Sequence, residues 1–518
     1  MTENRRIFWN VIATYGRSLY GLVIGLLCGR WALMALGTVD FGLMGLVGGL
    51  TVFITFFNGI LAAANARFYA VSIGAANVAD DKAVALDECR HWFNTALSVH
   101  TLVPIVLIVI GYPLGIYAVE NWLTIPTDRI DACVWVFRFV CISCFVAMVN
   151  VPFTAMYNAK QYIAELTIYS FITATLNVVF LYYMISHPGV WLAKYAAWTC
   201  FVNVIPQVAI CIRALIIFPE CCIKGDYLWQ WNYVKQLSAY SVWQFIGNLC
   251  GMLRYNGITI VINKFFGAGM NAAQSIGLHV QGQCQTLAGA MQGAFVPVIT
   301  QACGAKDYAK MNRFVLRTCK FNVFLSMIFM LPLGLELTEV LRLWLKAPPS
   351  FTTGLCYCAM LLYWASCPTV GHMIAVNAVG KIKGYYSVLG AVNVLVLPVS
   401  ICVGYFYRNV YAVMGVVILF EILNSVGRIY FARKHAGSSG RAWIKSVLIP
   451  MIIALLVCIP VGLVPQLMMK VSIARVVLTT LFCESVLLPM LWFVILDDDE
   501  RAFIRERVLK RLVRKLSK

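Results

Sequence analysis

Charged residues are scarce in this sequence, and acidic residues are the scarcer kind. Only 12% of the 518 residues are Asp, Glu, Lys or Arg, with 22 acidic residues against 41 basic ones. A soluble globular domain carries about 25% charged residues, so this class of protein is excluded. Because 61% of the residues are hydrophobic and the mean hydropathy is +0.80, we predict a polytopic membrane protein.

Long polar segments between the apolar runs are also missing, and this limits the chemistry that the chain can perform. The longest segment predicted to face outward lies near 120–131, which leaves little room for an extracytoplasmic catalytic domain. The 6 histidines show no metal-ligand spacing with the 19 cysteines, nearly all of which lie within apolar runs. We therefore expect neither an enzyme nor a metal or cofactor site.

The apolar runs themselves predict about fourteen transmembrane helices. A helix needs about 20 residues to cross a hydrocarbon core about 30 Å thick. The first run follows two arginines, but it is too long for a signal peptide and contains Arg17 and Arg30, so we predict a retained helix. The helices are expected at 10–36, 41–66, 96–119, 131–157, 163–186, 190–214, 236–265, 271–296, 314–338, 352–378, 384–406, 410–432, 442–466 and 472–496.

The order of motifs indicates an internal duplication. A helical hairpin turns at Gly267, and an earlier hairpin turns at the corresponding Gly37. Similar exits follow the two hairpins, at 67–74 and 297–304, and further matched pairs follow in the same order. Repeats of this kind place a transporter's substrate site at their interface, near the middle of the membrane.

We therefore expect an all-α fold with two six-helix pseudo-symmetric lobes and two extra C-terminal helices. The predicted parts are an N-lobe at 1–215, a cytoplasmic linker at 216–236, a C-lobe at 237–435, the extra helices at 441–497 and a basic amphipathic tail at 498–518. Most Lys and Arg lie on the side that holds both termini, which predicts cytoplasmic termini. This asymmetry explains the net charge of +19 without nucleic acid, and the tail is expected to bind anionic membrane lipids.

Polar side chains follow one face of the eighth predicted helix. At about 100° per residue, its four glutamines fall within about 20° of one another. The row either hydrogen-bonds to neighbouring helices or forms a cavity wall that binds a hydroxyl-rich cargo, since amides are costly against lipid. The row is Gln274, Gln281, Gln285 and Gln292, and polar residues near the same face of the first repeat are Thr51, Thr55 and Asn58.

Basic residues inside predicted helices are the second candidate feature, since each costs roughly 2.5 to 3.5 kcal/mol at a helix centre. Lys194 and Arg30 lie near helix ends, where they are expected to snorkel. The candidate cavity cations are Arg17 and Arg254, on the first helices of the two repeats, with Arg138 in the fourth helix and Arg67 at the inner end of the second.

One carboxylate lies in the middle of a predicted helix. Glu421 has Asn424 and Arg428 on its own helical face, which is typical of a structural network, and ion coupling is the alternative. A cavity with arginines and few acids favours phosphate or diphosphate over a lipophilic cation. An amphiphilic anion is the expected cargo.

These motifs, taken in order, resemble the bacterial oligosaccharide and polysaccharide flippases of the multidrug/oligosaccharidyl-lipid/polysaccharide exporter superfamily. The resemblance covers most of the chain to about residue 435. Its residues include Leu36-Gly37 with Asp40-Phe41-Gly42, Ala66-Arg67-Phe68, Trp122-Leu123, Trp231-Asn232-Tyr233, Gly247-Asn248, Leu253-Arg254, Phe265-Phe266-Gly267, Asn271-Ala272-Ala273, Pro297 with Ile299-Thr300, and Leu343-Trp344-Leu345.

The resemblance implies a V-shaped two-lobe transporter in the bacterial inner membrane. Such a protein passes a polyprenyl-diphosphate-linked oligosaccharide from the inner to the outer leaflet by alternating access, for surface polysaccharide or lipopolysaccharide biosynthesis. Other polysaccharide assembly proteins would be its partners. Two alternatives stay open: a cation-coupled multidrug exporter of the same superfamily, which would need a carboxylate such as Glu421, and a membrane polymerase or ligase.

Overall fold

The computed structural model is helical along nearly all of the residues that it describes, which are 3–49, 52–123, 125–187, 189–345, 348–496, 498 and 501–502. Short 3₁₀ or π turns join some of the helices. The helices in chain order are α1 (Glu3–Gly49), α2 (Val52–Ala76), α3 (Lys82–Tyr117), α4 (Ile130–Ala159), α5 (Ile163–Ser186), α6 (Leu192–Ile217), α7 (Trp231–Gly304), α8 (Tyr308–Leu335), α9 (Leu337–Leu345), α10 (Thr352–Ser366), α11 (Val370–Val379), α12 (Lys383–Tyr407), α13 (Val410–Ala436), α14 (Gly440–Trp443), α15 (Ile449–Met468) and α16 (Ile473–Met490).

The predicted all-α membrane fold is confirmed. Within the described residues, eleven helices are long and apolar enough to cross a membrane, and the bent pair in α1 would add a twelfth. The predicted tail at 498–518 lies almost entirely outside the described residues.

Both predicted hairpin turns occur at the expected glycines. Gly37 interrupts α1 with φ 76° and ψ 171°, and Gly267 interrupts α7 with φ 83° and ψ 176°. Side chains with a Cβ essentially never adopt this backbone conformation, so glycine is needed at each break. The helix direction changes by 112° at Gly37. The same residue type therefore makes the same break in both repeats.

The chain forms two compact units. Unit 1 comprises Met1–Ile246 and Gly293–Met311, and unit 2 comprises Gly247–Gln292 and Asn312–Lys518. In unit 1, α4 packs against α2, α3 and α6, while α1 packs against α5. Its apolar core includes Val136, Phe137 and Cys141 of α4.

The segment that follows α6 folds back onto unit 1. Asn94 of α3 donates its amide N–H to the Cys222 carbonyl at 2.9 Å and accepts the Lys224 backbone N–H at 2.9 Å. Glu220, which is 2% exposed, pairs with Lys160 at 2.6 Å. Much of the predicted linker is therefore held against α3 and the end of α4.

In unit 2, α10, α11 and α12 each pack against α13, while α15 and α16 pack against each other. An apolar cluster joins this last pair to α8 and α10. Buried Glu336 lies just beyond α8 and accepts hydrogen bonds from Arg475 at 2.7 Å and Thr479 at 2.9 Å, both on α16. The two extra helices are consequently an integral part of unit 2.

Candidate functional site

Unit 2 contains a buried cluster of charges built on α7 and α13. Glu421 of α13 is 2% exposed. Its carboxylate accepts hydrogen bonds from Arg254 Nη1 of α7 at 2.5 Å and from Arg428 Nη2 of α13 at 2.9 Å. Arg428 follows Glu421 by two helical turns and so shares its face, as the sequence predicts. Two guanidinium groups therefore share one carboxylate.

A helix break supplies further partners for Arg428. After α10, the chain makes a 3₁₀ turn at Cys367–Thr369 before α11 begins, and Pro368 has no N–H to continue the helical ladder. The Ser366 carbonyl accepts from Arg428 Nη1 at 3.4 Å, and the Thr369 hydroxyl accepts from it at 3.3 Å. The sequence predicts a membrane helix over 352–378, and the structure has one membrane-crossing span at Thr352–Val379 that contains this 3₁₀ turn. The turn supplies acceptors for the half-buried Arg428.

The cluster carries a surplus of positive charge. One carboxylate neutralises one of the two guanidinium groups, which leaves one formal positive charge in a low-dielectric region. Arg254 is the more accessible arginine, with 21% of its side chain exposed against 15% for Arg428. An anion that reached Arg254 would find a cation already oriented by Glu421.

The glutamine row divides into residues with different surroundings. Gln292 donates its amide N–H to Asn322 Oδ1 at 2.9 Å, so this member bonds to a neighbouring helix. Gln285 is exposed. Gln274 is 4% exposed and Gln281 is half-buried, and the amide oxygens of both are buried without a hydrogen-bond partner among the described residues.

A third buried acceptor lies beside these two. The Asn271 amide oxygen also has no hydrogen-bond partner within the described part of the chain. On an α-helix, Asn271, Gln274 and Gln281 fall within about 80° of one face. Buried acceptors are normally satisfied, so three orphaned oxygens on one face indicate a surface that binds water or a ligand with donor groups.

Arg254 and one of the orphaned acceptors, Gln281, lie at similar distances along the helix from the Gly267 turn. Arg254 precedes the Gly267 turn and Gln281 follows it by nearly the same number of residues. At 1.5 Å per residue, both side chains start about 20 Å from that turn, within a hydrocarbon core about 30 Å thick. The α7 helix therefore carries N–H donors for an anion, on Arg254, and an acceptor for a hydroxyl group, on Gln281, at similar distances on either side of its Gly267 break.

The first repeat contains fewer described candidates. Thr51 lies outside the described residues, and so does the side chain of Thr55. Asn58 is half-buried, and its amide oxygen is buried without a hydrogen-bond partner among the described residues. Arg17 is exposed on α1, and no described carboxylate forms an ion pair with it.

Arg67 and Arg138 both lie against aromatic rings in unit 1. The Arg67 guanidinium carbon is 4.8 Å from the Phe68 ring centroid and 4.9 Å from that of Tyr240. Arg138 Nε donates to the Tyr112 hydroxyl at 3.1 Å, and its guanidinium carbon is 4.8 Å from the Trp135 ring centroid. These cation–π contacts stabilise a guanidinium group without neutralising it.

The predicted repeat exits meet at a close helix crossing within unit 1. A Cβ added at Gly74 of α2 would lie 2.0 Å from the Gln301 carbonyl oxygen of α7, and one added at Gly304 would lie 2.0 Å from the Val71 carbonyl oxygen. Gln301 also donates to the Ala159 carbonyl at 2.5 Å. Corresponding glycines therefore let the two exits touch backbone to backbone.

The structure brings together only some of the predicted site residues. Arg254 and Glu421, which are far apart in sequence, form one cluster, whereas Arg67 and Arg138 have separate aromatic surroundings. Sequence reasoning did not assign Asn271 to the polar face or pair Arg254 with an acid. Helical spacing from Gln274 could have indicated Asn271, but no local signal indicates the ion pair.

Comparisons with known proteins support the fold alone. No family model and no curated protein matches this sequence. A solved outward-facing multidrug resistance MATE family transporter of the MOP superfamily is 14% identical with a TM-score of 0.64, covering 84% of this chain and 96% of its own.

Two further structures show the same similarity. A MATE protein in a bent conformation is 14% identical with a TM-score of 0.65, covering 86% of this chain and 98% of its own. A MOP superfamily transporter from Pyrococcus furiosus is 14% identical with a TM-score of 0.63, and the match covers 84% of this chain and 96% of that transporter. Its binding pocket is described as having reverse polarity, which suggests a different function for that transporter. The chain therefore has the MATE-like transporter fold.

Proposed function

We propose that this chain, which has the MATE-like fold, is a membrane transporter that flips a polyprenyl-diphosphate-linked oligosaccharide from the inner to the outer leaflet. The substrate has two recognisable ends, a diphosphate that needs cations and an oligosaccharide whose hydroxyl groups donate hydrogen bonds. We place the protein in the bacterial inner membrane with cytoplasmic termini, acting in surface polysaccharide synthesis beside other assembly proteins.

One observation carries this proposal: accessible Arg254 belongs to a cluster with surplus positive charge, and it lies nearly as far along the helix from the Gly267 turn as Gln281, whose amide oxygen has no hydrogen-bond partner among the described residues. Arginine offers a planar set of N–H donors that matches phosphate oxygens. The acceptors of Gln274 and Gln281 would receive hydrogen bonds from sugar hydroxyls. A hydrophobic cation would satisfy neither the arginine nor the orphaned oxygens.

The remaining candidates take supporting roles in this proposal. In the first repeat, Arg17 is the candidate cation for a diphosphate, and Arg67 attracts the substrate at the inner end of α2. Thr51, Thr55, Asn58 and Gln285 contact sugar hydroxyls during passage. Gln292 holds α7 against Asn322 and contributes to structure.

Flipping of a fluorescent undecaprenyl-diphosphate oligosaccharide in proteoliposomes tests the proposal. The substitution Arg254→Gln leaves Glu421 paired with Arg428, so the protein should fold. The flipping rate should fall about 10- to 100-fold because a charged hydrogen bond to the substrate is lost. A double variant that adds Arg17→Gln should reduce it further.

Lys194→Gln is the control, because it removes an exposed helix cation that lies near the Trp191 ring and away from the Arg254 cluster in sequence. Its flipping rate should remain at the wild-type level. Wild-type flipping by a folded Arg17→Gln/Arg254→Gln protein would reject the proposed diphosphate site.

A cation-coupled multidrug exporter is the second candidate, favoured by the fold shared with a multidrug resistance transporter and by the buried carboxylate of Glu421. A lipophilic cation would have to displace Arg254 or Arg428 from that carboxylate, which makes this function less favourable. Expression of the chain should leave resistance to cationic dyes unchanged. Efflux by the wild-type protein that is lost in a folded Glu421→Gln protein would support the exporter instead.

A polymerase or ligase is the least favoured candidate. We propose that the chain catalyses no bond formation and needs no cofactor. Purified protein incubated with a labelled lipid-linked sugar should return that lipid unchanged, and an elongated product would revive the enzyme hypothesis.

A further inference from the structure

Unit 1 has a groove between α3 and α4 that the proposed transport site does not use. Its cavity volume is about 450 Å³, which is within the size range of small-molecule sites. Its lining consists of Ile108 and Tyr112 of α3 and Trp135, Arg138, Phe139, Cys141, Ile142 and Phe145 of α4. Among these described residues, Arg138 is the one that carries a charge.

The groove opens on an apolar, exposed surface. Beside it on α3, Ile105 and Val109 are 43% and 67% exposed, and on α4 Trp135 and Ile142 are 48% and 50% exposed. Both helices are long and apolar enough to cross a membrane. Exposed aliphatic side chains on such helices are the surface that lipid chains cover, so the groove is open to lipid.

Arg138 is charged but not neutralised in this groove. Its one hydrogen bond within the described residues runs from Nε to the Tyr112 hydroxyl, and no described carboxylate forms an ion pair with it. Its Nη atoms can therefore donate to a ligand. The exposed lining of the groove is apolar, so an acyl chain would fill the groove while the lipid's head group contacts Arg138 beside it. A lone cation inside a bilayer is costly unless an anion or water reaches it, so a matching head group would stabilise Arg138.

The depth of Arg138 in the membrane is close to that of lipid head groups, a few ångströms further into the bilayer. It lies about 12 Å along α4 from Ile130, and a helix of this length exceeds a hydrocarbon core of about 30 Å by several ångströms at each end. Arg138 is then a few ångströms inside the hydrocarbon boundary. Tyr112 and Trp135 are the residue types that concentrate at that boundary.

We propose that the α3–α4 groove binds one anionic phospholipid, with its phosphodiester on Arg138 and an acyl chain along Ile108, Ile142 and Phe145. A single guanidinium group matches the single charge of a phosphodiester better than the larger charge of a diphosphate, which favours a membrane phospholipid over the transported lipid. With the predicted cytoplasmic termini, the site lies in the outer leaflet. This inference is independent of the proposed cargo.

Native mass spectrometry of the full-length protein in detergent tests the site, with phosphatidylglycerol and phosphatidylcholine of identical acyl chains as probes. The wild-type protein should retain one phosphatidylglycerol in preference to phosphatidylcholine. Arg138→Gln should lower the apparent affinity for phosphatidylglycerol about tenfold, because an attractive charge and its hydrogen bonds are lost. Arg138→Lys should keep part of the preference.

A second variant tests the apolar part of the groove. Ile142→Trp fills it without changing charge, and it should fold because Ile142 is half exposed; it too should lose the retained phosphatidylglycerol. Lys194→Gln is the control, since it removes an equal charge beside Trp191, and it should bind as wild type does.

Three results would overturn the proposal. The first is wild-type retention of phosphatidylglycerol by both Arg138→Gln and Ile142→Trp. The second is an equal loss in Lys194→Gln, which would show a general effect of net charge. The third is retention of undecaprenyl diphosphate, but not phosphatidylglycerol, that depends on Arg138, which would make the groove a site for the transported lipid.

Discussion

The two units place arginine in the membrane in different ways. In unit 2, Arg254 and Arg428 share the carboxylate of Glu421, and backbone and hydroxyl oxygens at the α10–α11 break complete the surroundings of Arg428. In unit 1, Arg67 and Arg138 lie over aromatic rings. The Glu421 carboxylate neutralises charge, whereas an aromatic ring stabilises a guanidinium group without supplying a countercharge.

The difference shows how much each arrangement should matter for stability. A buried ion pair that loses one partner leaves an uncompensated charge, which is strongly destabilising. A cation over an aromatic ring loses only a moderate attraction when the cation is removed, because the remaining ring is apolar. The carboxylate of Glu421 should therefore be the most sensitive single position in this comparison.

The largest effect is expected for Glu421→Gln. It leaves two half-buried arginines without a carboxylate and should lower the free energy of unfolding by about 3–5 kcal/mol. Thermal unfolding in detergent, followed by circular dichroism, measures the change. Glu165→Gln is the control, since its partner Arg213 is half exposed and such pairs contribute about 1 kcal/mol or less. Equal losses in the two variants would contradict the claim that the unit 2 cluster is energetically distinct.

A smaller effect is expected from the coupling between Arg254 and Glu421. A double-mutant cycle with Arg254→Gln and Glu421→Gln should give an interaction energy of about 0.5–3 kcal/mol, because removing one surplus arginine relieves part of the damage caused by losing the carboxylate. Strictly additive changes in the free energy of unfolding would mean that Arg254 is not held by Glu421 in the membrane protein.

The smallest effect is expected at the aromatic site of Arg67. Arg67→Gln removes the cation over Phe68 and Tyr240 and should lower the free energy of unfolding by about 0.5–2 kcal/mol. Lys235→Gln, an exposed change on the same helix as Tyr240, should alter it by less than about 0.5 kcal/mol. A loss at Arg67 as large as that in Glu421→Gln would remove the distinction between the two arrangements.

Much of the fold could be predicted from the sequence, because its signals are local. The length of each apolar run predicts a membrane-crossing helix. Gly37 and Gly267 mark the turns because only glycine tolerates their backbone angles. The 3₁₀ turn at Cys367–Thr369 lies inside the predicted span, and the sequence does not indicate it because Pro368 occurs in a continuous apolar run. Prolines inside membrane helices are common enough that one proline does not mark a break.

The candidate site could be predicted only in part. Helical periodicity placed Gln274 and Gln281 on one face and Arg428 on the face of Glu421. It could not show that Gln292 bonds to Asn322 while the oxygens of Gln274 and Gln281 remain without partners among the described residues. Those differences depend on which helix lies opposite each glutamine.

The sequence by itself determined that the chain is a duplicated bundle of membrane helices, because bilayer thickness, helical period and glycine conformation act over short stretches. Only the tertiary structure decided the use of each buried cation. Arg254 of α7 contacts Glu421 of α13, which lies 167 residues later in the chain. Arg138 of α4 contacts Tyr112 of the neighbouring helix α3. Such pairs are set by helix packing, which brings together residues whose separation in the chain carries no signal.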